Sequence, residues 1–494
     1  MTHVSNNNDE RMSGGVNPGT NDLHPADFES GGFAHHVFFT ARQTLKRHAT
    51  GGNVLIFATV LALIVANIPG VNTIYNDFWN QEMRLQIGDF NVLSHAGHPM
   101  TVLQFINDAL MAIFFFTIGL EIKREVLVGE LSSFRQALLP IMAALGGMIF
   151  PVGLYLVLSA GTDYVDGAAI PMATDIAFSL GVLAILGSRV PLSLKIFLTT
   201  LAVVDDIGGI IVIAAFYSSH IELAFIGYAA IGLAVLIVGA YMKIQTKMFY
   251  VIIGGVVWFL FLNSGIHPTI AGVLVAFCVP SVPVYAPKKY IKTIRRTIRN
   301  FNEEDDVALS QRTILSHEQM DWLKKIESAS DKVISPLQDL EDSLHPVTSY
   351  LIIPIFAFAN AGIFLLDVEP VSIVEGISLA IIIGLVVGKF LGIFLFSWLT
   401  VKLKLAPMPE HSNWKMIAAI SMLGGIGFTV SLFIANLSFG DMGEPGMELL
   451  NNAKIGIVIG SFLSGLLGYV MLSHYLPASN PEHDEDEELD HEGN

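Results

Sequence analysis

The chain has 494 residues, 52% of them apolar and only 14% charged, about half the charged share of an ordinary soluble domain, roughly 25%, and its mean hydropathy is +0.58. That composition excludes a soluble globule, and the single cysteine, Cys278, excludes an intramolecular disulfide scaffold. No Cys/His cluster has metal-ligand spacing, which removes a zinc site as well. The formal charge of −17 is uneven, with eight acids between Glu482 and Glu492; residues 477–494 therefore read as a solvated, disordered acidic tail.

Taken in chain order, residues 1–50 lack a charged-then-apolar leader with a small-residue cleavage site. They are expected to stay attached as a largely disordered extension. Apolar runs long enough to cross a bilayer then recur, and twelve spans are predicted: 53–70, 102–123, 137–160, 170–188, 192–217, 222–242, 247–263, 267–282, 347–366, 371–400, 414–437 and 454–475. The chain thus reads as an all-α polytopic membrane protein, with spans 1 to 8 in residues 51–282 and spans 9 to 12 in 346–476. With that order, 24 of the 27 basic residues fall on the side that holds both termini, Arg84 and Lys454 fall opposite, and Lys389 lies inside a span. The positive-inside rule makes that side cytoplasmic.

Residues 71–100 alternate at Met83, Leu85 and Ile87 before Gly88 and Asp89, and read as an external loop with a β-hairpin that serves structure or an oligomer contact. The cytoplasmic insertion 283–345 is too small and too charged for a catalytic domain. Its stretch from Lys288 to Arg299 interleaves basic residues with Tyr290, Ile291, Ile294 and Ile298, a pattern suited to anionic lipids, although an ordinary positive-inside loop would look similar. Further on, Met320, Leu323, Ile326, Val333, Leu337, Leu340 and Leu344 recur at helical spacing, which marks packing against the membrane domain or a partner.

A charge within a bilayer costs about 2.5–3.5 kcal/mol on insertion scales, so one that persists faces a partner or a water-filled cavity. Such residues are Asp108 in span 2, Asp175 in span 4, Asp205 and Asp206 in span 5 and Lys389 in span 10. Adjacent residues on a helix point about 100° apart, so one of the paired acids can face a cavity while the other meets a second helix. Two carboxylates that can be charged or protonated supply oxygen ligands for which Na⁺ and protons compete. A salt bridge that merely staples helices would use Lys389 with one acid and leave the other unpartnered. Span 4 reads Pro171-Met172-Ala173-Thr174-Asp175, and span 11 reads Gly424-Gly425-Ile426-Gly427-Phe428-Thr429. Both contain the breakers that let a helix unwind where protein or water satisfies its backbone. Interrupted spans in the two halves of a chain point to a transporter site at the midplane. An acid and a base near such breaks would neutralise the facing helix ends.

Together these stretches resemble the NhaA family of bacterial Na⁺/H⁺ antiporters. The likeness runs from about residue 45 to 475 and includes Asn107-Asp108, Glu121-Ile122-Lys123-Arg124-Glu125, Ala173-Thr174-Asp175, Val204-Asp205-Asp206, Ser264-Gly265-Ile266-His267, Phe358-Ala359-Asn360, Gly388-Lys389 and Gly424-Gly425-Ile426-Gly427-Phe428-Thr429. The resemblance implies inverted repeats formed by spans 3 to 5 and 10 to 12, with spans 4 and 11 broken and crossing. It implies that Asp206 is the main cation ligand, that Asp205 binds cation or protons and pairs with Lys389, and that Thr174 and Asp175 line the crossing. Gly424, Gly425, Gly427 and Thr429 would form the broken-helix backbone, and Asp108 would be charge-compensating or proton-linked. Glu121, Arg124, Glu125, Glu341 and His267 fall where the family is thought to sense pH, and a histidine changes charge near neutrality.

The function implied is an electrogenic, pH-regulated Na⁺(Li⁺)/H⁺ exchange in a bacterial inner membrane. It needs no cofactor beyond the transported Na⁺, Li⁺ and protons. The chain would be a homodimer and would have no nucleic-acid partner. The rivals are a sodium-coupled solute symporter and a membrane enzyme. The second lacks its motifs, since the positions four after Asp205 and Asn107 are Gly209 and Met111, where a diphosphate-binding acid cluster would need acids.

Overall fold

The computed structural model describes residues 51–476 apart from 85, 88–89, 92–93, 96–97, 219–220, 284–286, 304–316, 332, 365–374 and 441. The N-terminal extension and the acidic tail lie outside the described residues. Among those described, seven helices are long and apolar enough to cross a membrane, or nine if each of two bent pairs counts as one span. The chain is a polytopic, predominantly helical membrane protein.

The first bent pair is α1 (Gly51–Asn67) and α2 (Val71–Trp79), which turn by 115° at Gly70. The turn is possible because Gly70 takes φ 81°, a conformation costly for any residue with a Cβ. The helix α2 is a departure from the expected all-loop segment: Tyr75 and Trp79, four apart, bury one face and the Tyr75 hydroxyl donates to the Phe358 carbonyl at 2.5 Å. Beyond it lie two-residue ladders, β1 (Gln86–Ile87) with β2 (Phe90–Asn91) and β3 (Ser94–His95) with β4 (His98–Pro99), both antiparallel.

Next come α3 (Val102–Val128) and α4 (Phe134–Leu158). The segment expected as span 4 is a 3₁₀ stretch, Val165–Met172, an extended turn at 173–175 and α5 (Ile176–Ile185). Then follow α6 (Leu192–Phe216), α7 (Leu223–Tyr241), α8 (Lys247–Leu262) and α9 (Thr269–Cys278). The insertion contains α10 (Pro287–Glu303), α11 (His317–Asp331) and α12 (Pro336–Val347). Leu337 and Leu340 of α12 are buried with Leu120, Tyr250 and Val257, so this part of the predicted apolar series packs on the membrane body. Met320 and Leu323 stay exposed.

The last part holds α13 (Ile353–Asn360), α14 (Gly376–Lys402), the second bent pair α15 (Trp414–Leu423) and α16 (Phe428–Phe439), and α17 (Gly443–Tyr475). Lys454, expected at the outer end of the last span as its first residue, is instead well inside α17 and buried, because the polar residues before it still continue the helix. Among the described residues, wide π turns interrupt three helical runs, at Ile106–Leu110, Thr348–Ile352 and Gly384–Gly388. Such turns concentrate at functional sites; two of them hold Asp108 and immediately precede Lys389. The backbones of α4 and α14 meet at Gly146 and Gly392, where a Cβ on either would strike the other's carbonyl.

Candidate functional site

Two chain breaks face one another, and their positions follow from the residues. Pro171 lacks an N–H and the Thr174-Asp175 pair prefers to cap rather than continue a helix, so α5 starts only after Asp175. Across from it, the run Gly424-Gly425-Ile426-Gly427 ends α15, and α16 begins at Phe428 after a bend of 43°. Gly425 must lack a side chain, for a Cβ there would meet the Leu385 carbonyl and lie 2.5 Å from Ser464 Oγ. The two breaks are tied by their backbones: Asp175 N–H donates to the Ile426 carbonyl at 2.6 Å.

Asp175 serves both half-helices. Its Oδ1 caps α5 by accepting from Phe178 N–H at 3.0 Å. Its Oδ2 accepts from Thr429 N–H at 3.1 Å and from Thr429 Oγ1 at 2.6 Å, at the start of α16. One carboxylate therefore sits on two helix N-termini, where the dipole favours negative charge. Two further amides at that end, those of Gly427 and Phe428, donate to Ser461 Oγ of α17 at 3.2 and 3.1 Å.

The second centre is built on α6 and α14. Asp205 and Lys389 form an ion pair with both side chains withdrawn from solvent. Thr174 Oγ1 accepts from Lys389 Nζ at 2.9 Å and lies 2.6 Å from Asp205 Oδ2 and 2.8 Å from the Gly424 carbonyl; its one proton serves one of these two at a time. The other oxygen, Asp205 Oδ1, is buried with no hydrogen-bond partner among the described residues. Asp206 is 4% exposed, and among the described residues none donates a hydrogen bond to its carboxylate. The charges that reach it are those of Asp205, Glu121, Asp175 and Lys389. The arrangement offers a cluster of carboxylate and hydroxyl oxygens, one acid already matched to an amine and one still available.

The remaining candidates divide into two groups. Arg124 Nε bonds Glu341 Oε1 at 2.8 Å and its Nη2 lies 3.1 Å from Glu125 Oε1, with the charge of Glu121 also felt there. Burial raises the Glu341 carboxyl above the usual glutamate range, while the neighbouring Arg124 guanidinium draws it back. His267 joins a different place: its Nε2 is 3.7 Å from Asp108 Oδ1 and its ring stands edge-on to Phe433 of α16. Asp108 and Glu121 are thirteen residues apart on α3, about 20 Å at 1.5 Å per residue. The five expected pH-sensing residues are thus four together and one apart.

The sequence of the chain also matches known proteins across most of its length. The profile of the family described as Na⁺/H⁺ antiporter 1 matches residues 42–472. The Na⁺/H⁺ antiporter NhaA of Phocaeicola vulgatus is 53% identical over 439 residues, covering 89% of this chain and 96% of the relative. This chain belongs to the NhaA family. The NhaA protein of Bacteroides fragilis is 52% identical over 86% of this chain and 95% of its own. More distantly, that of Oleidesulfovibrio alaskensis is 42% identical over 89% of this chain and 95% of its own. This NhaA-family chain is accordingly a multi-pass bacterial membrane protein.

Some residues of this NhaA-family site were given no role from the sequence. Ser461 is one. A second set is an amide relay in which Asn360 Nδ2 donates to Asn107 Oδ1 at 2.8 Å and Asn436 Nδ2 donates to Asn360 Oδ1 at 2.9 Å, joining α3, α13 and α16. A third is Lys123, whose Nζ donates to the carbonyls of Phe277 and Val279 at 2.7 and 2.5 Å and so closes the C-terminal end of α9, as a cation at that end should. A polar residue inside an apolar span was the available signal for the asparagines.

Proposed function

We propose that this protein is a secondary active transporter, an electrogenic, pH-regulated Na⁺(Li⁺)/H⁺ antiporter that extrudes sodium from the cell by alternating access. The observation that carries this is the unlike condition of two neighbouring buried acids: Asp205 is held by Lys389 and Thr174, whereas Asp206 has no hydrogen-bond donor among the described residues. An alkali cation takes oxygen ligands, and Asp206, Asp205 with its unpartnered Oδ1, and the Thr174 hydroxyl would supply them.

Cation and protons then exclude one another. A cation entering between Asp205 and Asp206 withdraws Asp205 from Lys389. A buried ammonium stripped of its partner is costly, so Lys389 gives up its proton as the cation settles, and Asp206 gives up its own on binding. Two protons leave for one Na⁺, so one net charge moves per cycle, worth about 2.3 kcal/mol per 100 mV. Asp175 and Thr429 would keep the facing half-helix ends neutral while the site is exposed to either side in turn.

In this reading the fold is twelve spans with inverted repeats and two broken, crossing spans, in the inner membrane and with cytoplasmic termini. Glu121, Arg124, Glu125, Glu341 and His267 are the pH-sensing residues, and Asp108, beside His267, is charge-compensating or proton-linked. The lipid-facing role of Lys288 to Arg299 draws support from the exposure of Ile291 and Ile298 beside the exposed Lys288, Arg295 and Arg296 on α10. Homodimerisation through the segment around β1 to β4 rests on the family resemblance. In vesicles with an imposed proton gradient, the purified protein is expected to move Na⁺ against its own gradient, faster when the voltage favours the exchange. Asp206→Asn should abolish this, and unimpaired exchange by that variant would reject the assignment.

A further inference from the structure

We infer that Ser461, on the last span, is a positioning residue for the cation site, an inference that rests on the exchange reading above. The first amides of an α-helix have no acceptor within the helix, and they form its positive end. At the start of α16 three such groups point into dry protein. Thr429 N–H is taken by Asp175, and those of Gly427 and Phe428 are both taken by Ser461 Oγ, a hydroxyl 2% exposed and contributed by a different helix.

The position of these two amides gives the hydroxyl its importance. A Cβ at Gly427 would stand 3.1 Å from the Ala173 carbonyl, so this turn lies against the residue before Thr174. Three residues earlier is Gly424, whose carbonyl meets Thr174 Oγ1. Two residues later is Thr429, which occupies Asp175. The turn is therefore fixed at one end to the hydroxyl that bonds Asp205 and at the other to the acid that caps both half-helices. Removing the Ser461 hydroxyl leaves two buried amides without an acceptor, and a buried unpaired donor carries its full desolvation cost. The neighbouring acceptor is Asp175, which already receives Phe178 and Thr429. Drawing the turn toward it displaces the Gly424 carbonyl and Thr174 from the place they hold beside Asp205, and leaves positive partial charge next to a site that must hold a cation. Ser461 touches neither ion nor carboxylate and acts through the backbone it holds.

The test compares wild-type protein with Ser461→Ala, Ser461→Cys and Ser397→Ala in proteoliposomes, measuring initial exchange rates over a Na⁺ series at fixed pH. Cysteine keeps the shape of serine with a somewhat larger atom at its tip, and is a weak acceptor. Ser397 is a buried hydroxyl with no hydrogen-bond partner among the described residues, so its loss controls for the removal of a hydroxyl as such. The expected result is a KM for Na⁺ raised about five- to tenfold in both Ser461 variants, a kcat changed less than the KM, and wild-type behaviour in Ser397→Ala. Na⁺-dependent thermal shifts in detergent give the same affinity ranking if a variant reconstitutes poorly. A wild-type KM in Ser461→Cys, or a fall in kcat alone in both variants, overturns the inference while the antiporter reading stands. No exchange by the wild type overturns that reading and this inference with it.

Discussion

Lys389 and Asp205 are joined in an ion pair that neither shares with solvent, while Asp206, the next residue, has no comparable partner among the described residues. Breaking a buried pair by removing one member costs about 3–5 kcal/mol, because the other charge is left stranded. Asp205→Asn should therefore lower thermal stability in detergent strongly. Asp206→Asn should change it by little, within about 1 kcal/mol, although under the proposed function it should stop exchange. Equal losses in the two variants would refute this asymmetry.

Thr174→Val keeps the shape of the side chain and removes the hydroxyl that joins Lys389, Asp205 and the Gly424 carbonyl. A buried group left unsatisfied costs about 1–3 kcal/mol. The expected outcome is a lower melting temperature and a raised KM for Na⁺, with Thr174→Ser close to wild type in both measurements.

Asp175 caps two helices with one carboxylate, and the loss of a single cap costs about 0.5–2 kcal/mol. Asp175→Ala removes both and should cost more than any single-cap substitution in the chain, such as Asn413→Ala, whose side chain caps α15 alone by accepting from Met416 N–H. Melting curves of the two variants decide it.

The charged part of the site was legible in the sequence because Asp175, Asp205, Asp206 and Lys389 stand within apolar runs where a charge without a purpose is too costly to persist. Glycines and Pro171 likewise announced the two breaks. Ser461 gave no such signal: a hydroxyl in a transmembrane helix can bond its own preceding carbonyl, as Ser421 does to Ile417, and nothing in its identity distinguishes the two uses. The sharp turn at Gly70 and the helix beyond it were hidden because Val71, Ile74, Tyr75 and Phe78 were outweighed by the alternating residues that follow. The separation of His267 from the Arg124 cluster was hidden because only the third dimension sets the neighbours of a residue between two spans.

Glu341 supplies a pH dependence. Its carboxyl is held above the ordinary glutamate value, about 4.3, chiefly by burial, so the folded protein binds that proton more tightly than the unfolded chain does. The resulting stability is complete below the ordinary value and is lost as the pH rises through the higher folded one. Melting temperatures of the wild type should fall over that interval. Glu341→Gln, which retains an acceptor for Arg124, should flatten the fall, and an unchanged slope would exclude Glu341 as its source.

Gly146→Ala or Gly392→Ala places a methyl group inside the facing backbone. Overpacking of this kind costs about 1–3 kcal/mol. Each variant should melt earlier and exchange more slowly, while Gly153→Ala, where a Cβ meets nothing within 4 Å, should do neither.

Where Gly146 and Gly392 touch there is no side chain to act as a bearing surface. A methyl group on either glycine would strike the other's carbonyl, so the two backbones hold a contact there that no larger residue could keep. The amine of Lys389 is thereby mounted on a shared chassis with α4, and in the exchange proposed above a stroke that carries an ion from one face of the membrane to the other would move both helices together.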